Sequence, residues 1–320
     1  MESYRVADKA GVITAYAPCR ADLAGGTMDL WPLYLFHTGA LTLNFAVNIL
    51  TSCRITQLKG RRIHIHSLDT RRQETFASFD ELRRARRFRL PLASRLLQFF
   101  APKQGLDIET DSESPAGAGI SGSSALMIAT TAALARFTDR NLTFEQMRVI
   151  AQNIEAQVIN VPTGCQDYYP ALYGGVSALH LNADGIHREA IPVAPEEMES
   201  RFVLAYTGAP RQSGINNWEV FKQHIDGDQR VIHNFAQIAR IGRDRLLAFH
   251  VSDWLVPTRD MLNDRGMMGD GVIDIPAIRK AVEAAGFRGM VEVEIFSTAW
   301  WARPMDELLA TSLARAQTCV

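Results

Sequence analysis

The stretch Ser114-Pro115-Ala116-Gly117-Ala118-Gly119-Ile120-Ser121-Gly122-Ser123-Ser124-Ala125 runs directly into an apolar helical segment ending at Phe137. Its three glycines permit tight turns and close backbone approach to a ligand. The first amides of the following helix have no partner within the helix and lie at its positive end. Phosphate oxygens suit such a helix mouth, and a serine hydroxyl there can face a phosphate or Mg²⁺. The stretch lacks Gly-Lys-Ser/Thr, which separates it from the P-loop class. The competing reading is a small-residue turn that only packs tightly.

Outward from this loop the chain reads as α+β. Upstream, Val12–Tyr16 is strand-like and leads into a Pro/Gly-punctuated loop. Leu41–Asn48 and Cys53–Leu58 read as separate strands. Arg62-Ile63-His64-Ile65-His66 alternates, so Cys53–His66 is expected to form a hairpin about Lys59-Gly60. His64 and His66 share one face; with no third ligand nearby they read as a solvent-facing pair rather than a metal site. A helix is expected over Leu92–Phe100 with Pro91 in its first turn, and a strand over Asp107–Asp111. Downstream, Thr143 and Gln146 fit a capping box opening a helix from Phe144 to about Ile159. Strands are expected across 174–191 and at Phe202–Tyr206, and helix from Asn217 to about Phe249.

Three further segments carry chemistry. Ala17-Pro18-Cys19-Arg20-Ala21-Asp22-Leu23-Ala24-Gly25-Gly26-Thr27-Met28-Asp29 sets an arginine among carboxylates in a Gly-rich stretch. Glu155 on a helix is followed by Pro162-Thr163-Gly164-Cys165-Gln166-Asp167. Tyr206-Thr207-Gly208 with Arg211, Ser213 and Asn217 follows a strand. Taken singly, Asp22 and Asp29 suit Asx turns, and Glu155 and Asp167 suit a solvated surface.

Taken together and in order, these segments resemble the GHMP kinases (galactokinase, homoserine, mevalonate and phosphomevalonate kinases) over residues 12 to about 245. The 114–125 stretch is similar to their phosphate motif, a Pro followed by Gly-Leu-Gly-(Gly)-Ser-Ser-Ala, with Ile120 in place of Leu and Ser121 in place of a glycine. The resemblance implies the α+β GHMP-kinase fold, with an N-terminal half like ribosomal protein S5 domain 2. It also implies an ATP-dependent kinase acting on a hydroxyl of a sugar or sugar-phosphate-like small molecule, notably of the heptose-phosphate type. By that resemblance Pro115, Gly117, Gly119, Ser121, Gly122, Ser123 and Ser124 cradle the nucleotide. Ser124 and Glu155 hold Mg²⁺, Asp167 is the base, and Arg20 stabilises charge on the transferring group. Asp22, Gly25, Gly26, Asp29, Thr207, Gly208 and Arg211 line the acceptor side, and Trp31-Pro32-Leu33 shapes the pocket.

The family's C-terminal Gly-x-Gly-x-Gly-Gly motif has no counterpart; Gly266-Met267-Met268-Gly269-Asp270-Gly271 has the wrong spacing. From His250 to Ala314 the chain instead resembles the end of a xylose-isomerase-like sugar-phosphate isomerase/epimerase barrel. Asp253 and Glu294 stand where such barrels carry metal ligands. Only about two β/α units are present, too few to close eight strands. The chain therefore divides into a kinase-like domain over 1–248, short at its C-terminal end, and a β/α tail over 249–320. The missing motif leaves a nucleotide-binding protein without turnover as the second reading, and an isomerase as the third. Kinase surface left uncovered by the truncation is compatible with self-association.

Bulk composition sets outer limits. Thirty-four Lys and Arg against 35 Asp and Glu give a net charge of -1 over 320 residues, which argues against a nucleic-acid groove. Arg83, Arg84, Arg86, Arg87 and Arg89 form a local basic run, read first as a solvated face and second as an attractor for anions. No apolar run reaches the roughly 18 residues of a bilayer span, and MESYRVADKAG lacks a leader pattern. Four dispersed cysteines without a CxxC pair point to a reducing, cytoplasmic setting with no zinc or disulfide framework.

Overall fold

The computed structural model describes residues 4–9, 11–115, 117–202, 217–244, 248–257, 259–260, 265–284, 287 and 290–320. They divide into two compact units, Met1–Arg243 and Asp244–Val320. The first opens with β1 (Arg5–Lys9), β2 (Val12–Ala24), a 3-10 turn (Leu33–Phe36), β3 (Leu41–Leu58), β4 (Ile63–Ser67) and β5 (Arg72–Phe76). There follow α1 (Phe79–Arg84), α2 (Pro91–Phe100), β6 (Gly105–Ser112), α3 (Gly122–Phe137), α4 (Phe144–Ile159) and α5 (Tyr168–Tyr173). β7 (Val176–Asn182), β8 (Gly185–Ile191), α6 (Pro195–Arg201), α7 (Asn217–Ile225) and α8 (Gln229–Asp244) complete it.

One sheet runs in the order β1-β2-β3-β6-β4-β5, with β7 on the first half of β3 and β8 beyond it. The expected hairpin over Cys53–His66 does not form. β6 lies between its two arms, antiparallel to β3 and parallel to β4. Ile108 of β6 stands opposite both Ile55 and Ile65, and all three are fully buried. β6 takes the inner position, and β5, with three exposed polar residues, goes to the edge beside β4. Two expected breaks also disappear. β3 is continuous through 49–52, and β2 continues through Pro18 to Ala24 because a bulge between Pro18 and Arg20 absorbs the proline. Arg20 and Asp22 consequently sit on a strand rather than in a loop.

α3 lies on this sheet and carries buried residues from Ser124 to Ala135. A helix apolar all round is buried all round; α2, α4 and α5 flank it. α4 has the expected capping box, with Thr143 and Gln146 making both hydrogen bonds. A second cluster joins Met28, Leu30 and Leu33 to Val231, Phe235 and Ala239 of α8. The five arginines of the 83–89 run are all exposed, which agrees with a solvated face. His66 sits 3.3 Å from Asp107, and its ring lies parallel to that of His64.

Gly25 closes β2 with a φ of 75°, and a Cβ there would stand 2.0 Å from the Leu41 carbonyl oxygen. Gly25→Ala is therefore expected to cost about 2 kcal/mol or more, read as a lowered thermal midpoint.

The second unit pairs β9 (Ala248–Val251) in parallel with β12 (Met290–Val293), and β10 (Asp253–Trp254) with β11 (Arg265–Gly266). Phe249 is thus strand, not the end of the expected helix. Helices α9 (Ile275–Ala284), α10 (Thr298–Trp301) and α11 (Met305–Thr318) surround a small core of Val251, Met267, Met268 and Ile275. The described strands form no closed barrel.

Candidate active site

Three elements of the first unit converge on the mouth of α3. Ahead of it, Gly117 and Gly119 adopt positive φ (77° and 80°), and Pro115, Gly117, Gly119 and Ser123 are exposed to solvent. The first backbone bond of α3 runs from the Ala125 amide to the Ser121 carbonyl at 3.0 Å. The amides of Gly122, Ser123 and Ser124 precede it and, as helix-start donors, need outside acceptors. The helix starts at Gly122, which places Ser123 and Ser124 in its first turn.

Ser121, where the resemblance implies a glycine, has φ 60°, and its buried hydroxyl has no partner among the described residues. Both features disfavour serine. Ser121→Gly is expected to stabilise the ligand-free protein by about 1 kcal/mol, measured as a higher urea midpoint.

Glu155 reaches this mouth from α4. Its Oε1 accepts the Ser123 hydroxyl at 2.7 Å; its Oε2 accepts the hydroxyls of Ser124 at 2.9 Å and Tyr168 at 2.7 Å. Burial pushes its carboxyl pKa up, the three hydroxyls pull it down, and the nearby Asp167 adds to the rise. This all-oxygen set suits a hard cation, which ordinarily takes one or two carboxylates and completes its shell with phosphate oxygens and water. Tyr168 was missed by the sequence reading; its position beside Asp167 was the one clue available.

Asp167 enters from the turn before α5. Arg20 Nε and Nη2 both donate to Asp167 Oδ1, at 2.8 and 2.7 Å. Arg20 Nη1 lies 3.1 Å from Asp22 Oδ2 and donates to the Gly119 carbonyl at 3.2 Å. One guanidinium thus joins both carboxylates to the glycine loop, and the Arg20 amide donates to the Ile120 carbonyl at 3.1 Å. Burial disfavours the Arg20 charge, and Asp167 and Asp22 outweigh that cost.

Asp29 is buried, and its Oδ2 accepts the Gln166 amide at 2.7 Å. Burial, then Asp167 and Asp22, push its pKa up to about 6 despite that bond. Asp22 is also pushed up to about 6, by burial against the pull of Arg20. A free aspartate titrates near about 3.9, so the fold favours the protonated forms of both. The stability they contribute is complete below about pH 4 and lost as pH rises through about 6, on the order of 2 kcal/mol each. Asp29→Asn stays neutral and is expected to remove about half of that loss. Urea midpoints of both proteins at about pH 4.5 and about pH 7.5 check this.

Thr207, Gly208 and Arg211, with Ser213, lie outside the described residues. Gly25 and Gly26 close β2 beside the Arg20–Asp22 segment. In the second unit, Asp253 is buried and accepts amides from Trp254, Gly269 and Ile273 at 2.8 to 2.9 Å. Burial opposes its ionisation, and the amides outweigh burial and hold its pKa below the usual range. It organises the 267–273 loop. Glu294 Oε2 stands 3.9 Å from Arg265. Among the described residues no three His, Cys, Asp or Glu side chains converge as a metal site.

Sheet, helix mouth and carboxylates together are those of the GHMP kinase fold. Residues 87–175 match the family model described as GHMP kinases N terminal domain, and the first unit has that fold. Residues 217–318 match the model described as xylose isomerase-like TIM barrel; the match extends back through α7 and α8, which belong to the first compact unit. The chain is 25% identical over 229 residues to the D-glycero-alpha-D-manno-heptose 7-phosphate kinase of Campylobacter jejuni, covering 68% of this chain and 66% of that one. It is 27% identical over 199 residues to the galactokinase of Chloroflexus aurantiacus, covering 61% and 48%. The chain thus spans about two thirds and about half of the lengths of these relatives. A D-glycero-D-manno-heptose 1-phosphate kinase from Bacteroides thetaiotaomicron superposes with a TM-score of 0.55 at 25% identity, over 71% of this chain and 76% of that one. The Methanococcus jannaschii mevalonate kinase does so at 0.54 with 13% identity, over 73% and 72%, a likeness of fold alone. No described helix is long and apolar enough to cross a membrane.

Proposed function

We propose that this protein transfers the γ-phosphoryl group of ATP to a hydroxyl of a sugar or sugar phosphate. The observation that carries the reading is Arg20, which ties the Asp167 carboxylate to the glycine loop at the mouth of α3. Phosphoryl transfer asks little covalent chemistry of a protein; positioning and charge neutralisation do most of it. In this reading the loop from Pro115 through Ser124 receives the triphosphate on its amides. Glu155 and Ser124 would hold Mg²⁺, and the bound ion would supply neutralising charge to the phosphates. Asp167 Oδ1 is held by Arg20, and Oδ2 takes the proton of the attacking hydroxyl. Asp22, Gly25, Gly26 and Asp29 border the acceptor side, joined by Thr207, Gly208 and Arg211. The heptose phosphate, galactose and fucose chemistries named for the relatives define the panel of acceptors to try first.

A second reading, nucleotide binding without turnover, is favoured by one specific fact: the Gly-x-Gly-x-Gly-Gly motif has no counterpart in this sequence. The two are separated by titrating a non-hydrolysable ATP analogue calorimetrically and by coupled ADP release over the sugar panel, with Mg²⁺ and with EDTA. The kinase reading expects binding together with Mg²⁺-dependent turnover of at least one sugar. Binding without turnover on any acceptor selects the second reading; neither binding nor turnover removes both. The unit Asp244–Val320 is, in the same proposal, a β/α remnant in place of the family's C-terminal subdomain, and gel filtration against mass standards tests the self-association that substitution invites.

A further inference from the structure

The position of Asp167 depends on the residue before it. The Gln166 amide donates to Asp29 Oδ2 at 2.7 Å, and the Gln166 carbonyl accepts from Asn44 Nδ2 at 3.2 Å. Both main-chain polar groups of Gln166 therefore meet side chains, and both of those side chains are buried, at 4% and 0% exposure. They come from different places. Asp29 lies in the turn after β2, and Asn44 lies on β3, in register with Asp22 of β2.

Local sequence is shaped around this arrangement. A Cβ at Gly164 would stand 2.0 Å from Asp29 Oδ2, so only glycine lets the carboxylate enter the loop. A neutral acceptor would satisfy one amide at less cost than a buried carboxylate beside Asp22 and Asp167. On the other side of Asp167, Tyr168 is anchored through its hydroxyl to Glu155.

We propose that Asp29 and Asn44 are positioning residues that clamp the Gln166 peptide and so set the direction from which the Asp167 carboxylate meets the acceptor hydroxyl. This rests on the kinase reading above. It differs from a direct role of Asp29 on substrate hydroxyls, because here Asp29 acts through the Gln166 amide.

The test uses the full chain and the variants Asp29→Ala, Asp29→Asn and Asn44→Ala. Displacing a catalytic group by about an ångström costs on the order of 100-fold. Asp29→Ala should therefore lower kcat by about 10- to 100-fold while the acceptor KM changes less than about threefold. Hydrogen exchange of the peptide covering 164–168, read by mass spectrometry, should quicken about tenfold or more in that variant. Asp29→Asn keeps an oxygen for the Gln166 amide and should restore most of both. Asn44→Ala should show the same pattern more weakly, and serves alone should Asp29→Ala fail to fold. A KM raised more than about tenfold with kcat unchanged would instead assign Asp29 to the substrate and overturn the clamp. If the wild type phosphorylates no sugar, the kinase reading fails by itself. The exchange measurement then still decides: protection of 164–168 unchanged in Asp29→Ala refutes the clamp.

Discussion

Asp167→Asn is expected to bind an ATP analogue within about twofold of wild type and to lose about two to four orders of magnitude of turnover. The asymmetry follows from geometry. In the proposed reading the nucleotide side of the site is built from the amides and hydroxyls around 117–124, none of which belongs to Asp167. Asparagine keeps the shape, and its carbonyl oxygen can still accept from Arg20, which otherwise bonds Oδ1 twice. What disappears is the basic oxygen for the acceptor proton. Calorimetry for binding and single-turnover ADP release for chemistry, on the same preparation, separate the two effects. Turnover within about threefold of wild type would remove the base assignment.

Arg20→Ala is expected to damage both stability and rate. The guanidinium has 13% of its side chain exposed and compensates Asp167 and Asp22, with Asp29 nearby. Its loss leaves partly buried carboxylates facing one another, worth about 2 to 4 kcal/mol of destabilisation. It also frees Asp167 from the glycine loop, so kcat/KM should fall by about 100-fold or more. Arg20→Lys is the discriminating companion. A single ammonium restores charge but cannot bond Asp167, Asp22 and the Gly119 carbonyl in one plane. It should recover most of the stability and little of the rate, as read by urea melts beside initial velocities. If lysine restores the rate as well, the planar three-way arrangement is not what positions Asp167.

Much of the site was legible because its groups lie in short runs. Loop glycines, the serines opening α3 and the capping box of α4 depend on neighbours within four residues, and local chemistry decides them. The hairpin over Cys53–His66 failed for the opposite reason. Lys59-Gly60 is a good turn by local rules, but whether β3 and β4 then pair depends on β6, about 40 residues later, whose Ile108 fills the row between Ile55 and Ile65. Pro18 misled in the same way, since a bulge that admits it is visible only once β3 lies alongside. Asp253, read as the remnant of a metal ligand, is taken up by three loop amides in the fold.

By itself the sequence determined the chemical inventory: a phosphate-type helix mouth, one arginine among carboxylates, a helix glutamate, and a tail of different character. Only the tertiary structure decided who bonds whom. Arg20 and Asp167 are 147 positions apart, and Gln166 and Asp29 are 137 apart. No local rule relates residues so distant. They meet where the packing of α3 on the sheet brings β2, the later turns of α4 and the turn before α5 together.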